Sequence, residues 1–422
     1  MAADPFVPEV SVSGEQATSG LDFDRMVDNF DVYDHDTAQH VFEVTKHARS
    51  RCPVTHSSAH GGYWLVTSYA EVRQALSDPA TFSSSQGVGF PHHQTLMMPP
   101  IDFDPPLQKE FRRLLNPHFS RAGIAKYAGA IREIAVQTVE AFAGRGAVDG
   151  GTAGRGTADL HNDFAAPFTA EVLARVILHV DDEDLFQRAR AVASQISRHD
   201  PSQEGNKRAQ LEQISEEVLD QRAASGARHG DCIDALLYGE VSGRPLTRDE
   251  RVGTLMILIL GGLSTTNAAL TGIFRHVAQT PGLEEHLRND DWTRQELDEF
   301  LRFEPPVGSL SRTVMKDTVL GTQPLKADEV VLLHFAAANR DGAMFAEPDE
   351  LRLDRGKNPH LSFGLGDHRC IGSNLGRLQI EIGVAELLAR VENIKLAEGA
   401  VLEREAGTGS GWISLPVTFR RR

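Results

Sequence analysis

The chain has 422 residues, of which 41% are hydrophobic, so it is long enough for a core that buries a cofactor and could form two ordinary domains or one large one. Its 59 acidic residues against 43 basic ones give a formal net charge of −16, and a field of that sign disfavours nucleic acid and anionic membranes as partners. Only three cysteines occur, so a disulfide framework is not expected and a reducing compartment fits better.

The amino-terminal part of the chain predicts a polar tail, a small sheet and a helix. Residues 1–20 are small, polar and acidic, which is typical of a disordered tail, and they show no signal-peptide pattern. Residues 62–67 alternate in polarity and predict one strand of a small pair, whereas residues 69–76 have helical spacing. Residues 83–105 have no period, and so long a loop is usually functional or disordered.

The middle of the chain is predicted to be mostly helical. Helical spacing runs from Leu107 to about Arg228, with a flexible insertion expected between Gly144 and Gly156, where six of thirteen residues are glycine. Residues 250–280 are apolar on nearly every helical face, so this long helix should run through the core. Short strands are predicted at Val330–His334 and Ile413–Phe419. The fold class is therefore mainly α with a minor β part.

Near the carboxyl end, one cysteine lies in a glycine-rich loop, residues 363–372, directly before an amphipathic helix. Helical spacing after the loop places Cys370 at the amino terminus of that helix, where free N–H groups and the helix dipole should lower the thiol pKa. Glycines let the backbone approach a large flat ligand. A buried, inert cysteine is the alternative. An aromatic residue, paired glycines, a histidine and a cysteine within ten residues instead favour a metal-bound thiolate.

This loop resembles the haem-thiolate signature Phe-Gly-x-Gly-x-His-x-Cys-x-Gly of the cytochrome P450 family, and every specified position is filled. The resemblance extends from about residue 30 to the carboxyl end, which implies one large cytochrome P450 domain over residues 21–422 that encloses haem b. It implies that Cys370 is the metal ligand. The implied cofactor contacts in the loop are Phe363, Gly364, Gly366 and His368.

Residues 261–266 interrupt the aliphatic run of the long helix with two glycines and three hydroxyls. Small residues here could serve close helix packing, or Thr265 could bond to the carbonyl of Gly261 and open a kink. In the resembling family this segment crosses the distal haem face, so Gly261 and Gly262 are expected to contact the cofactor. Thr265 matches the alcohol that hydrogen-bonds dioxygen. Ser264 replaces the acid of the family pattern, so both hydroxyls are the predicted catalytic groups and the usual proton relay is altered.

A pair of opposite charges, Glu299 and Arg302, lies three residues apart on a predicted helix, a spacing that is common by itself. In the family, this Glu-x-x-Arg pair locks to an arginine of a Phe-x-x-Pro-x-x-Phe-x-x-x-Arg stretch. The matching residues are Phe345, Pro348 and Arg355, while Leu351 replaces the second aromatic. The resemblance implies a buried network that braces the cysteine loop and supports folding and haem retention.

Four further side chains are expected to hold the two haem propionates. Residues 104–112 resemble the family segment Asp-Pro-Pro-x-His-x-x-x-Arg, with Arg112 at the arginine position. Gln108 takes the histidine position, an exchange seen in camphor-hydroxylase-like members, and it remains a donor. Arg312 and His368 complete the set, because guanidinium suits carboxylates bidentately. Each of these residues alone could also be a solvated surface charge.

The resemblance also implies a substrate pocket and a docking face. The pocket candidates are mostly apolar and indicate a small hydrophobic substrate: Phe90, His92, His93, Met97, Met98, Leu258, Val307, Leu310, Trp412 and Ile413. The two histidines could simply face solvent. Lys109, Arg113 and Arg369 could form a basic patch for an acidic electron donor, or each could be an ordinary solvated charge.

Together these features imply a soluble, cytoplasmic, bacterial-type monomer that inserts one atom of O2 into a C–H bond. Electrons are expected from a ferredoxin and its NAD(P)H-dependent reductase, since the chain has no flavin or iron–sulfur motif. No membrane partner is expected, because the best apolar stretch, Leu255 to Leu260, is too short to cross a bilayer. A peroxygenase that uses hydrogen peroxide, or a non-enzymatic haem sensor or carrier, are the alternatives. Thr265 and the basic patch argue against a peroxygenase. The groove expected at the distal haem face and the long loop over residues 83–105 argue against a sensor or carrier.

Overall fold

In a computed structural model of the chain, residues 20–91, 96–144, 155–180, 182–197, 204–289 and 292–422 are described. Helices predominate: α1 (Phe23–Asp28), α2 (His35–Gln39), α3 (Val41–Arg51), α4 (Tyr69–Ser77), α5 (Leu107–Phe119), α6 (Arg121–Ala125), α7 (Ala128–Ala143), α8 (Ala166–Glu171), α9 (Glu183–Ser197), α10 (Glu204–Ser225), α11 (Cys232–Tyr238), α12 (Arg248–Gln279), α13 (Leu283–Arg288), α14 (Arg294–Phe303), α15 (Phe335–Ala338) and α16 (Ser373–Arg390). The prediction of a mainly α fold is confirmed.

The strands form small sheets. Their bounds are β1 (Val54–Ser57), β2 (Tyr63–Val66), β3 (Phe82–Ser83), β4 (Arg155–Asp159), β5 (Glu240–Val241), β6 (Arg244–Pro245), β7 (Ser309–Val314), β8 (Thr318–Leu320), β9 (Gln323–Leu325), β10 (Val330–His334), β11 (Val391–Leu396) and β12 (Pro416–Arg421). The largest sheet has the order β1-β2-β10-β7-β3, in which only the β2–β10 pair is parallel. A second sheet has the order β11-β12-β4.

The long helix α12 is the centre of the fold. It begins at a capping box, in which the Thr247 hydroxyl accepts the N–H of Glu250 and the Glu250 carboxylate accepts the N–H of Thr247. It packs against α8, α9, α10, α14 and α16. Among the described residues, it is the one helix long and apolar enough to cross a membrane, a test that core helices of soluble proteins also pass. Its surroundings are those of a core helix, as the sequence predicted.

The last strand starts three residues later than predicted, at Pro416 instead of Ile413. The reason is that the backbone before Pro416 bonds elsewhere. Ile413 N–H donates to the carbonyl of Glu403 at 3.1 Å, and Leu415 N–H donates to Asp159 Oδ1 at 2.9 Å. These donors are therefore not available to the sheet.

Several predictions fall on residues outside the described ranges. These are most of the tail predicted for residues 1–20, most of the glycine-rich insertion, and both pocket histidines, His92 and His93. These predictions, and that of one domain over residues 21–422, stay predictions.

Candidate active site

One face of α12 opens onto free space in the middle of the molecule. Gly261 is exposed there although it lies mid-helix, and a Cβ built on it would meet nothing within 4 Å. At about 100° per residue, Leu258 and Thr265 share this face and Ser264 borders it. Packing fills the other side of the helix, because a Cβ on Gly262 would lie 2.9 Å from Leu173 Cδ1. Gly262 thus serves close helix packing, and its assignment as a cofactor contact stays a prediction.

The two predicted catalytic hydroxyls both bond to the helix that carries them. Thr265 Oγ1 donates to the carbonyl of Gly261 at 2.7 Å, as expected, and Ser264 Oγ donates to the carbonyl of Leu260 at 3.1 Å. The expected kink does not break the helix, because α12 continues through this segment to Gln279. Both oxygens keep lone pairs that can accept a further hydrogen bond.

The cysteine loop is folded by its own backbone. Cys370 N–H donates to the carbonyl of Phe363 at 2.7 Å. Gly366 has a φ of +67°, and a Cβ there would lie 2.9 Å from the carbonyl oxygen of Leu76, so this position requires glycine. The guanidinium of Arg377 lies 4.2 Å from the centre of the Phe363 ring. This contact fixes the aromatic ring at the loop's start.

The sulfur of Cys370 lies in an internal hollow. The space beside Cys370 is large enough for solvent, so the residue counts as exposed. Protein atoms nevertheless surround its thiol, and this burial raises the thiol pKa. The Gly372 N–H and then the guanidiniums of Arg112, Arg369 and Arg377 lower that pKa without outweighing burial. The prediction of a lowered pKa is therefore wrong for the chain alone, because burial outweighs the predicted contribution of the N–H groups at the start of α16. A metal ion would itself hold a coordinating thiol as the thiolate.

Surplus positive charge lies beside this hollow. Arg112 is half-buried and makes no hydrogen bond or ion pair with any residue in the described part of the chain. Arg312 is buried and its Nη1 donates only to the carbonyl of Ser311, at 2.7 Å. Burial lowers the pKa of Arg312 to about 10, and Asp104 raises it only in part. Burial and the charge of Arg312 lower the pKa of His368 to about 4. Buried cations without partners fit a ligand that carries carboxylates.

Gln108 is placed differently from its prediction. It is fully buried, and its Nε2 donates to the backbone carbonyl of Asp367 at 2.6 Å. Its Oε1 has no hydrogen-bond partner among the described residues. Gln108 thus ties α5 to the cysteine loop. Its Oε1 can only accept, so an ionised propionate could use only the second N–H of Nε2.

The three structural charges form one buried network. Arg302 Nε and Nη2 donate to the two oxygens of Glu299 at 2.8 Å each. Arg355 Nε donates to Glu299 Oε2 at 2.9 Å, and Asn358 Nδ2 donates to the same oxygen at 3.0 Å. The remaining N–H groups of Arg302 donate to the carbonyls of Asn339, Pro348 and Glu350. Asn358 carries the network into the segment that leads to the cysteine loop.

The predicted pocket residues do not all reach the open face. Phe90 packs in a core cluster, with its ring 4.5 Å from that of Tyr63, because the sheet covers it. The Trp412 indole N–H donates to Glu304 Oε2 at 2.8 Å, which turns its ring toward a buried charge cluster. Both placements correct the prediction. The remaining candidates are buried or half-buried, and their place in the pocket stays a prediction: Met97, Met98, Leu258, Val307, Leu310 and Ile413.

The predicted basic patch is partly neutralised. Lys109 Nζ lies 3.2 Å from Asp367 Oδ2, and Arg369 Nη1 donates to Ser373 Oγ at 3.3 Å. Arg113 is exposed. The three residues keep a net positive charge on the side of Cys370.

Sequence reasoning missed two buried acids that organise loops. Asp102 accepts the N–H groups of Val88 at 3.1 Å and Met98 at 3.0 Å, so it closes the long loop between them. Glu304 accepts from Trp412 and from Arg275, whose Nη2 lies 2.7 Å from Glu304 Oε1. No motif marks either acid, although an acid between Phe303 and a Pro-Pro pair could have been questioned.

Comparisons with known proteins agree with this geometry. The family model described as Cytochrome P450 matches residues 203–416. "Probable cytochrome P450 127A1" of Sinorhizobium fredii is 30% identical over 85% of this chain and 84% of the relative. "Steroid C26-monooxygenase" of Mycolicibacterium smegmatis is 29% identical over 85% of this chain and 88% of the relative. The crystal structure of CYP108D1 from Novosphingobium aromaticivorans superposes with a TM-score of 0.80 at 25% identity, covering 95% of this chain and 98% of that one.

Proposed function

This chain belongs to the cytochrome P450 family and is a monooxygenase whose cofactor is haem b, and on that premise we propose how it works. It inserts one atom of O2 into a C–H bond of a small hydrophobic substrate in the cytoplasm, as a soluble monomer. Two electrons come from a ferredoxin and its NAD(P)H-dependent reductase. The observation that carries this proposal is the accessible sulfur of Cys370 in an internal hollow beside unpaired cations.

The residues around the hollow fit the cofactor. Cys370 would hold the iron, while Arg112, Arg312 and His368 would hold the propionates. The carboxylates would neutralise Arg112 and Arg312, and His368, whose lowered pKa leaves it neutral, would donate a ring N–H. Gly261 leaves room for a flat ring against α12. When bound through a thiolate, haem supplies the oxidising chemistry and favours O–O cleavage. The Glu299 network would keep the cysteine loop in place for this ligand.

Ser264 and Thr265 would handle protons on the open face of α12. Each hydroxyl donates to a helix carbonyl and can accept a proton or a water hydrogen bond at its oxygen. A carboxylate at position 264 could release and take up protons near neutral pH, whereas a serine hydroxyl can only pass them on. Ordered water, or a polar group on the substrate, is therefore needed to complete the relay.

The apolar character of the site narrows the class of substrate that it can bind. The open face and its surroundings are mostly apolar, which suits a compact hydrophobic molecule. Since a relative at 29% identity is named steroid C26-monooxygenase, steroids join terpenoids, aromatics and fatty acids as compounds to test. Lys109, Arg113 and Arg369 form the proposed docking face for the acidic electron donor.

The proposal is tested by adding a bacterial ferredoxin, its reductase and NADH to the haem-loaded protein with each compound that shifts the iron from low to high spin. The expected result is a hydroxylated product that depends on the ferredoxin, with at most one product per NADH consumed. Product from hydrogen peroxide alone at an equal rate would favour the peroxygenase alternative. Haem without turnover of any bound compound would contradict the proposal.

A further inference from the structure

Glu304 lies at the end of α14 in a buried cluster of charges. Its Oε1 accepts from Arg275 Nη2 at 2.7 Å, and Arg404 Nη2 lies 3.7 Å from the same oxygen. Burial raises the pKa of Glu304, but the guanidiniums of Arg275 and Arg404 outweigh burial and hold the pKa well below its ordinary value. Glu304 therefore stays ionised near neutral pH, and it links Arg275 of α12 to Arg404 of the carboxyl-terminal segment.

The partner that distinguishes this cluster from a simple ion pair is Trp412. Its indole N–H donates to Glu304 Oε2 at 2.8 Å. The guanidinium carbons of Arg404 and Arg275 lie 4.1 Å and 4.6 Å from the centre of its ring. Hydrogen bonding to an anion and contact with two cations fix both the position and the orientation of the ring.

Trp412 ends a short segment, Arg404–Trp412, which we name the carboxyl-terminal loop. Arg404 and Trp412 pair as an isolated bridge, and Arg404 Nη1 donates to the carbonyl of Ser410 at 3.0 Å. The loop is thus closed at its base by the same two residues that contact Glu304.

The end of this loop next to Trp412 lies against the open face of α12. A Cβ built on Gly411 would lie 2.8 Å from the Cβ of Ala268, one turn beyond Thr265 on the same face of the helix. Gly409 bridges to Val307, and Gly308 N–H donates to the carbonyl of Thr408 at 2.8 Å. The loop therefore forms a wall beside the catalytic hydroxyls.

The loop cannot hold this position by side-chain packing. Residues 407–411 read Gly-Thr-Gly-Ser-Gly, and ordering a segment so rich in glycine is entropically costly. Hydrogen bonds must offset that cost. Backbone bonds hold parts of the loop, such as those from Gly407 N–H to the carbonyl of Val32 at 2.6 Å and from Ser410 N–H to the carbonyl of Pro306 at 3.2 Å. Its base is anchored by Arg404 and Trp412, which share Glu304.

We propose that Glu304 is a positioning residue that, through Trp412 and Arg404, fixes the carboxyl-terminal loop and so sets the shape of the substrate pocket. This inference rests on the proposed function and adds a residue that controls which molecules fit. Loosening the anchor should let the loop move away from the open face of α12. Ligands that fill the pocket should then bind more weakly, while Cys370 remains the ligand of the metal.

The test compares Trp412→Phe with Trp64→Phe in the haem-loaded protein. Trp412→Phe keeps an aromatic ring but removes the N–H that bonds to Glu304. Trp64 makes no indole hydrogen bond among the described residues, so the same change there is the control. Two ligands are titrated by their absorption shift: imidazole, which needs only the metal, and 4-phenylimidazole, whose phenyl ring must also fit the pocket.

The expected result is an unchanged imidazole affinity and a 4-phenylimidazole affinity that falls several-fold, up to about tenfold, in Trp412→Phe alone. Glu304→Gln should show the same selective loss where it folds. Equal affinities in Trp412→Phe and wild type would overturn the proposal. Equal loss of both ligands, or loss of haem, would also overturn it, because the cluster would then be only part of the core. These titrations need no turnover, so they stand even if the monooxygenase experiment fails.

Discussion

Removing Arg302 should cost the protein most of its bound haem. Five of its N–H bonds end on Glu299 and on three backbone carbonyls, and its side chain is completely buried. Arg302→Ala would leave these acceptors unpaired and a cavity behind. Breaking a buried ion pair by removing one partner typically costs ~3–5 kcal/mol, against about 5–15 kcal/mol for the whole stability of a domain.

Glu299→Ala should be at least as costly. It removes the one carboxylate that serves both Arg302 and Arg355, so two buried guanidiniums lose their partner. Arg302→Lys should lie between wild type and alanine, because it keeps the charge but not the fork of donors. Urea unfolding gives the free energy, and the ratio of Soret to protein absorbance gives the haem content.

Asp317→Ala is the matched control. Asp317 pairs with Lys326 at 2.7 Å, but the two side chains are 63% and 72% exposed, so solvent screens the pair and its loss should hardly change stability. The reasoning would be refuted if Glu299→Ala and Arg302→Ala kept full haem and unfolded like Asp317→Ala. Loss of turnover alone would then point to a chemical role for the pair.

Three further predictions concern single groups. Cys370→Ser should abolish the red-shifted Soret band of the ferrous carbon-monoxide complex, while Cys232→Ser, which changes a buried thiol in the core, keeps it. Thr265→Ala should raise hydrogen peroxide release per NADH more than it slows NADH use. Ser264→Asp should increase coupling, the product formed per NADH, with a simple hydrocarbon, since positioned acid–base groups contribute ~10²–10⁴-fold to the rate. Full coupling in Thr265→Ala would exclude this segment as the proton path. The pKa of Glu304 in the folded protein lies below its ordinary value of about 4.3. Ionised Glu304 therefore stabilises the fold above that pH, and this stabilisation is lost as the pH falls toward the folded pKa. Below about pH 4.3, the free energy of unfolding in urea should depend less on pH for Glu304→Gln than for wild type.

The sequence predicted what local pattern controls. The long helix was placed to within two residues because apolar residues predominate on its faces from Val252 to Phe274. The hydrogen bond from the Thr265 hydroxyl to the carbonyl of Gly261 was also predictable, since it joins residues four apart in one helix. The start of β12 was not, because Ile413 and Leu415 bond to Glu403 and to Asp159, and no local pattern reveals that distant carboxylate.

The same limit explains which site residues sequence reasoning misplaced. Trp412 was expected in the pocket because its neighbours are there, and the structure keeps the neighbours at the wall but turns the indole to Glu304. Its orientation depends on an anion 108 residues away, and Arg275 of α12 together with Arg404 stabilises that anion in the core. Motifs therefore locate the groups that touch the cofactor, whereas the acids that hold the pocket walls have to be found from burial and charge. In this chain the pocket's shape rests on the second kind of residue, so variation at Glu304 or Trp412 should change the choice of substrate while the haem signature stays the same.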